Sequence, residues 1–532
     1  MFKLLSGTIK SGGEKEASFF RKWFAVSLVI HLIVAWFSVG FYYYDEHFQI
    51  LEFAGFKIGH SPANELPWEY GAEIRSAFQP FIAFCILKFL AWFQVDDPLL
   101  ASNVLRMMSA ILGWLSSVFI TATAFFYLPK IRLKYLLIGL TCILSSLYFI
   151  HARFSSEGCS GSFAFLGFGI ILLEINRSRR NKPLASYLTF FISGFLLGLS
   201  FLCRVQAILL FPGFFLWMFF IAHVPIKKQI IMIGGLLLAI SLGVLMDYWF
   251  YGKWVNTAFK YFWANIILGK ASEFGTEPWW WYFKALFFNG FWAIQTAMIL
   301  LVIICCIYYR RNPMVWICIP FLIAHFIISH KELRFLFPLI DLVPFFIILG
   351  ANALLSLPLL KRIKESKLAK PGFYAFCAVF ILINLISITG LSTKPPTPYI
   401  YPATFIYHNF KGSTYVIGND SSISIMSKIL HFNFYKNRQT KYLFISNTDS
   451  IKSFVKSHNN STVLLMISSR GFGIDPGYRS LNNQLLPLYY QTPQWAKKYE
   501  FNNWTTRTSF WKVYQVLPAA TDKESKNIKY PK

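Results

Sequence analysis

Charge is scarce in this chain. Only 14% of its 532 residues are Asp, Glu, Lys or Arg, and acids are the scarcer sign, 24 against 51 basic residues. With 55% hydrophobic and 19% aromatic residues, the composition excludes an ordinary soluble domain and a disordered chain, both of which carry far more polar surface. Cysteine is sparse as well. The eight thiols at 85, 142, 159, 203, 305, 306, 318 and 377 lie nearly all inside apolar runs, so neither a disulfide framework nor a CxxC metal knot is implied. The chain also lacks a P-loop, a GxGxxG element and internal repeats, which leaves no glycine loop of the kind that cradles a nucleotide.

Long apolar runs fill the first three quarters of the sequence. They predict spans at about 23–44, 107–129, 135–151, 158–176, 183–203, 205–222, 229–247, 285–309, 312–329, 335–357 and 372–393, eleven in all. A further segment, 76–93, meets Lys88 after about a dozen uncharged residues, short for a span and suited to an interfacial helix. Basic residues before Trp23 lack a following cleavage site, so the first span is expected to stay uncleaved. The expected fold class is thus a mainly α, polytopic membrane protein of about eleven helices with external interfacial helices.

The net charge of +27 fits this reading without nucleic acid. If 76–93 does not cross, the basic clusters Lys3–Lys22, Lys130/Arg132/Lys134, Arg177–Lys182, Lys227/Lys228, Arg310/Arg311 and Lys361–Lys370 all fall on one side, which the positive-inside rule makes cytoplasmic. The external face then receives 45–106, the turns at His151, Arg204 and His330, the loop 248–284, and everything after 395. That last segment is polar, with β-branched runs at 414–418, 440–446 and 462–469 and a helical pattern at 448–457. Two domains are expected: 1–394, transmembrane, and 395–532, a small external α/β domain.

Chemistry-bearing side chains crowd the external face. Asp45 and Glu46 abut the first span, and the loop to Arg75 adds Glu52, Glu65, Glu69 and Glu73. Carboxylates at a membrane edge are costly without a role, and partial desolvation raises basicity toward that of a base for a sugar hydroxyl. Glu52, Glu65 and Glu73 read instead as members of a solvated loop. Between two apolar segments lies Ser329-His330-Lys331-Glu332-Leu333-Arg334-Phe335, with Asp341 two turns on. The orientation rule gives no reason for cations there, whereas a phosphate does. A structural Glu332–Arg334 ion pair is the other reading. Arg204, alone between two spans, suits a phosphate ligand or a side chain snorkelling to headgroups. Residues 248–283 hold 15 aromatics in 36, including Trp279 and Trp280, which suit a sugar platform or, better, an interfacial belt.

Asp45-Glu46-His47-Phe48-Gln49, Asp247 with Tyr251-Gly252-Lys253-Trp254-Val255, Gly275-Thr276-Glu277-Pro278-Trp279, and above all His330-Lys331-Glu332-Leu333-Arg334-Phe335 resemble glycosyltransferase family 22. That family comprises polyprenyl- and dolichyl-phosphate-mannose-dependent α-mannosyltransferases of the C-type membrane superfamily. The resemblance runs from about 23 to 355 and departs at Glu277, where the family often has His. It implies a C-type glycosyltransferase fold and a site on the periplasmic or luminal side of a bacterial inner membrane or the endoplasmic reticulum. It further implies a lipid-linked sugar donor and a glycan or glycolipid acceptor; no cofactor is expected, and a divalent metal is not implied. Asp45 is the implied base with Glu46 beside it. Lys331, Arg334 and Arg204 are the phosphate ligands expected there, and His330, Glu332, Arg75, Trp279 and Trp280 are the further site candidates. Inverting transfer of mannose is the expected reaction. Transfer of another lipid-linked sugar, or a transporter or flippase using Asp45, Asp341 and Arg204, are the rival readings.

Overall fold

The computed structural model describes residues 13–518, except 129, 179–185, 289–291, 359–368, 419–422, 424–430, 446, 500 and 501. The basic cluster at 361–370 lies almost wholly outside the described residues, as do Lys3, Lys10 and Lys182. The chain divides into two compact units. One comprises Met1–Ser38, Ala72–Ile82 and Asn103–Lys394, and the other Val39–Gly71, Ala83–Ser102 and Pro395–Lys532.

The first unit is helical, and every apolar run of the sequence contains a helix. Six helices are long and apolar enough to cross a bilayer: Glu14–Phe37, Pro98–Ala124, Ser156–Ser178, Ile226–Tyr251, Leu333–Ser356 and Pro371–Thr393. The number reaches eight if two bent pairs, Ile131–Ile143 with Ser145–His151 and Trp292–Tyr308 with Pro313–Ile327, each count as one span. Tyr187–Cys203 and Val205–Phe220 are shorter, so the eleven expected segments are all present as helices but not all as full-length spans. Phe78–Trp92 has 15 residues. At 1.5 Å per residue it reaches about 22 Å, less than the roughly 30 Å hydrocarbon core.

Burial separates a central helix from a peripheral one. The apolar window of Ser156–Ser178 is 94% buried and that of Pro371–Thr393 only 6%. Ile381, Leu382, Leu385 and Ile386 of the latter stand exposed, a face that only lipid covers at low free energy. The chain is an integral membrane protein. Helix contacts rely on small residues where backbones approach. A Cβ on Gly194 would collide with the Met232 carbonyl and one on Gly235 with that of Phe191, so Tyr187–Cys203 and Ile226–Tyr251 meet through reciprocal glycines. Inside the unit, Ser116 and Ser117 hydroxyls donate to the Asp341 carboxylate at 2.6 and 2.5 Å, and His151 Nε2 lies 3.6 Å from it. Asp341 thereby anchors the end of a ten-residue 3₁₀ segment, Leu333–Leu342.

The second unit holds a five-stranded sheet built from β1 (Thr414–Gly418), β2 (Thr440–Phe444), β3 (Thr462–Arg470), β4 (Leu485–Tyr490) and β5 (Ser509–Val516). Their spatial order is β2-β1-β3-β5-β4. β1 pairs parallel with β2 and β3, and β5 pairs antiparallel with both β3 and β4. The predicted helix forms at Thr448–Ser457, opened by Asn447, whose side chain accepts from the Asp449 N–H. Strand alternation gives both faces a core. Val463, Leu465 and Ile467 pack with Ile451, Val455 and Tyr478 on one side. Leu464, Met466, Trp511 and Val513 pack with Ile400, Ala403, Val39, Phe41 and Phe48 on the other. The 395–532 segment thus folds together with 39–71 and 83–102 rather than by itself. Apolar residues on both faces of β3 require a cover on each, and the residues after the first span supply one of them.

Candidate active site

In the second unit, Asp45 and Glu46 sit on the short helix Tyr44–Phe48. Glu46 Oε2 and Oε1 accept from the backbone N–H groups of Tyr42 and Tyr43, each at 3.3 Å, so this carboxylate fastens the turn that enters the helix. Asp45, on the same helix, is partly exposed. His47 Nε2 lies 2.9 Å from Glu52 Oε1, which also accepts from Asn433 N at 2.8 Å and Phe434 N at 2.9 Å, while Ser61 Oγ donates to Oε2 at 2.6 Å. Glu52 is 1% exposed, so the expectation of a solvated loop carboxylate is corrected: four donors make its burial tolerable. Glu65 accepts from Asn433 Nδ2 and Glu69 from Gln49 Nε2. Glu73, in the first unit, is held by Lys253 at 2.6 Å and by Lys260. Burial opposes its ionisation, yet the two ammonium groups bring its pKa below the usual carboxylate value.

The remaining candidates gather in the first unit. Arg204 leaves the C-terminus of Tyr187–Cys203 in an extended conformation, φ −154°, and is 5% exposed. Its Nη1 donates to Glu157 Oε1 at 2.7 Å, and its guanidinium carbon lies 4.9 Å from the Phe335 ring centroid. Glu157 opens the central helix, where the positive end of the helix dipole favours a carboxylate. The same Oε1 is 3.7 Å from Arg334 Nε. Arg334 in turn grips Glu332 at 2.6 Å through Nε and at 2.8 Å through Nη2. His330 Nε2 lies 3.2 Å from Glu332 Oε1. The result is an alternating row, Arg204–Glu157–Arg334–Glu332, whose formal charges cancel. Of the two readings left open for Arg334, the ion pair with Glu332 is formed.

Lys331 departs from expectation. It is 4% exposed, and its ammonium donates to the carbonyls of Phe326, at 3.1 Å, and Ile328, thereby capping the C-terminal end of Pro313–Ile327. Burial lowers its pKa, and Glu277 partly restores it. The neighbouring loop is clipped to the same turn: Glu277 N donates to Ser329 O at 2.9 Å, and His330 Nδ1 lies 3.0 Å from Gly275 O. Between them is a cavity of about 450 Å³ lined by Glu277, Trp279, Ile323, Phe326, Ile327, Ser329 and Lys331. Its walls are apolar on the Ile323 and Ile327 side and polar at Lys331 and Glu277. Trp280 is exposed, and the Arg75 guanidinium carbon lies 5.5 Å from the Tyr261 ring centroid. Among the described residues no cluster of His, Cys, Asp and Glu is arranged to hold a metal ion.

Sequence reasoning passed over one member of this group. Glu157 stands in the turn that follows His151, but no local pattern ties it to Arg204, 47 positions on.

Cations and carboxylates are thus packed in short turns between apolar helices. Comparison with known proteins gives the class: residues 22–432 match the Alg9-like mannosyltransferase family, and the chain belongs to it. The matched region reaches well past the 355 at which the motif resemblance stops. The chain is 21% identical over 329 residues to GPI mannosyltransferase 3 of Candida albicans, covering 61% of this chain and 63% of that protein. Among solved structures it is similar to ArnT from Cupriavidus metallidurans in the apo state, with a TM-score of 0.49 at 12% identity over 94% of this chain and 98% of that one. The same protein bound to undecaprenyl phosphate gives 0.48 at 13%, covering 96% and 100%. The arabinofuranosyltransferase AftD from Mycobacteria gives 0.37 at 12%, covering 95% of this chain and 40% of that one.

Proposed function

We propose that the chain is a membrane glycosyltransferase that moves mannose from a polyprenyl-phosphate-linked donor to a hydroxyl of a glycan or glycolipid acceptor, with inversion, on the periplasmic or luminal face. Membership of the Alg9-like family supports the reaction class. The observation that carries the donor assignment is the row Arg204–Glu157–Arg334–Glu332, buried at Arg204 and Glu157 and partly exposed at Arg334 and Glu332, with two guanidinium groups from separate turns where membrane orientation gives no reason for them. Departure of the sugar from a phosphodiester turns one negative charge on phosphate toward two, and preorganised guanidinium donors aimed at that charge favour the transition state over the bound substrate.

The bond changes are few. The acceptor O–H loses its proton to Asp45, its oxygen attacks the anomeric carbon, and the C–O bond to phosphate breaks as polyprenyl phosphate leaves. Glu46, committed to Tyr42 and Tyr43, supports the turn that carries Asp45. Lys331 serves as a helix cap at the polar end of the cavity, with Arg204 and Arg334 left as the principal phosphate ligands. The decisive experiment supplies purified protein in nanodiscs with a panel of polyprenyl-phosphate sugars and acceptors and follows the glycan product by mass and anomeric configuration. Transfer from the mannosyl donor with inversion is expected. Transfer from another lipid-linked sugar would change the donor, and lipid movement across the bilayer without product would favour a flippase.

A further inference from the structure

His330 has an acceptor at each ring nitrogen. Its Nδ1 lies 3.0 Å from the Gly275 carbonyl oxygen and its Nε2 3.2 Å from Glu332 Oε1. A carbonyl oxygen can only accept, and the Glu332 carboxylate accepts as well, from Arg334 at 2.6 and 2.8 Å. A neutral imidazole owns one N–H and satisfies one of the two acceptors, whereas an imidazolium, with two, satisfies both. The rings of Phe335 and Phe274, centred 5.7 and 6.2 Å from that of His330, flank the place this cation takes. The other titratable and charged groups around it are engaged. Lys331 turns its ammonium to the Phe326 and Ile328 carbonyls, His325 Nδ1 lies 2.8 Å from the Phe321 carbonyl oxygen, and Glu157 accepts from Arg204. Glu273 pairs with Lys270 at 2.9 Å, and Glu277 shares the cavity with Lys331.

The Gly275 carbonyl belongs to a strap. Lys270–Phe274 is a 3₁₀ segment bounded by Gly269, φ +68°, and Gly275, φ +105°, a backbone region that favours glycine. Just beyond it, Glu277 and Trp279 wall the cavity of about 450 Å³ together with Phe326 and Lys331. Three polar contacts tie this strap to Ser329 and His330: Ser272 Oγ lies 3.1 Å from Ser329 Oγ, Glu277 N donates to Ser329 O at 2.9 Å, and Gly275 O meets His330. Of these three, the histidine contact alone involves a group that titrates near neutral pH. We infer that His330 is the clasp of the strap: as an imidazolium it bridges Gly275 O to Glu332 and holds the Glu277–Trp279 wall of the cavity in place, and on losing a proton it lets one end go. Closing the strap and binding the proton favour each other, so the wall is held at low pH and loosens as pH rises through the histidine range. His330 is thereby a positioning residue that acts through Glu277 and Trp279, whichever lipid-linked sugar is the donor.

Hydrogen exchange of the Glu277 amide reads the clasp directly, because that N–H meets Ser329 O only while the strap is down. The full-length protein in nanodiscs, with no substrate added, is exchanged at about pH 5.5 and about pH 8.5, on either side of the ordinary histidine value. Rates are divided by the intrinsic rate at each pH and followed by mass spectrometry of peptides spanning 269–280. Wild-type protection should fall about tenfold between the two, as a hydrogen bond to a charged group is lost. His330→Gln, whose amide does not titrate, should show no such change and should lie near the wild-type value at the higher pH. Over the same interval the wild-type KM for the mannosyl donor should rise, an increase that His330→Gln lacks. A flat wild-type exchange profile, or a fall that persists in His330→Gln, would overturn the clasp, and the wild-type series decides even if the variant fails to fold. A KM that stays constant while protection falls would overturn the positioning role. Exchange needs no substrate, so a failed clasp leaves the donor reading standing, and a protein inactive with the mannosyl donor leaves the clasp standing.

Discussion

Replacing Glu157 by Gln tests whether the arginine row is a held charge pattern or incidental packing. The carboxylate is 3% exposed, accepts from Arg204 at 2.7 Å and lies 3.7 Å from Arg334. The amide keeps the shape and one acceptor but removes the charge, leaving the buried guanidinium of Arg204 and the partly exposed one of Arg334 against Glu332 alone. Removing one partner from a buried ion pair costs about 3–5 kcal/mol, most of it the penalty of the uncompensated charge. In a chain of this size, where each kcal/mol moves the midpoint by less than the roughly 2–4 °C of a mid-sized domain, the melt should fall by about 3–8 °C. An anion entering the site restores the missing charge. Polyprenyl phosphate should therefore raise the midpoint of Glu157→Gln by more degrees than that of wild type. Scanning fluorimetry in nanodiscs with and without the lipid phosphate measures both quantities. A variant that melts like wild type and gains no more from the ligand would refute the charge argument.

The other predictions follow from single residues. Asp45→Asn should lower turnover by about a hundredfold to ten-thousandfold while leaving binding of polyprenyl phosphate intact, as single-turnover and titration experiments would separate. Lys512, fully buried on β5 and donating to Ser469 Oγ and Gly473 O, has its pKa pushed down by burial to about 8, against the opposing pull of Asp475. The unfolded chain then holds a proton that the folded one has shed between pH 8 and about 10.5. Stability should rise across that window, below which the penalty is complete, and Lys512→Met should abolish the rise seen in Tm against pH. In a background with the exposed Cys85 replaced, impermeant maleimide applied from outside should label Ser457→Cys and spare Lys227→Cys. The opposite pattern would reverse the sidedness.

Much of the architecture was written in local pattern, because a bilayer demands long uncharged runs and a half-covered strand demands alternation. The runs at 414–418 and 462–469 appear as β1 and β3 almost residue for residue, and the helix opens at Thr448 as its cap chemistry requires. Two strands went unseen for identifiable reasons. Pro487 interrupts β4, an edge strand where a missing N–H is tolerated, and Lys512 sits at an inward position of β5, disguising a central strand as a polar one. The charged turn at 330–334 announced itself by density alone. What the sequence could not disclose was pairing: Glu157 finds Arg204, and Glu52 finds Asn433, only after the chain has returned from tens or hundreds of positions away. For the same reason the second unit recruits 39–71, which no composition change marks.

The 3₁₀ form of Leu333–Leu342 has a consequence for direction. Arg334 and Asp341 are seven positions apart, and an α-helix would bring them to nearly the same face, about 20° from alignment. At three residues per turn they point about 120° apart. One end can then address Glu157 and Glu332 while the other reaches Ser116, Ser117 and His151. The segment works as a fixed-angle coupling, so substitutions within 335–340 that preserve the winding should be borne, whereas adding or deleting one residue turns Arg334 by about a third of a revolution relative to its anchor and uncouples the two ends.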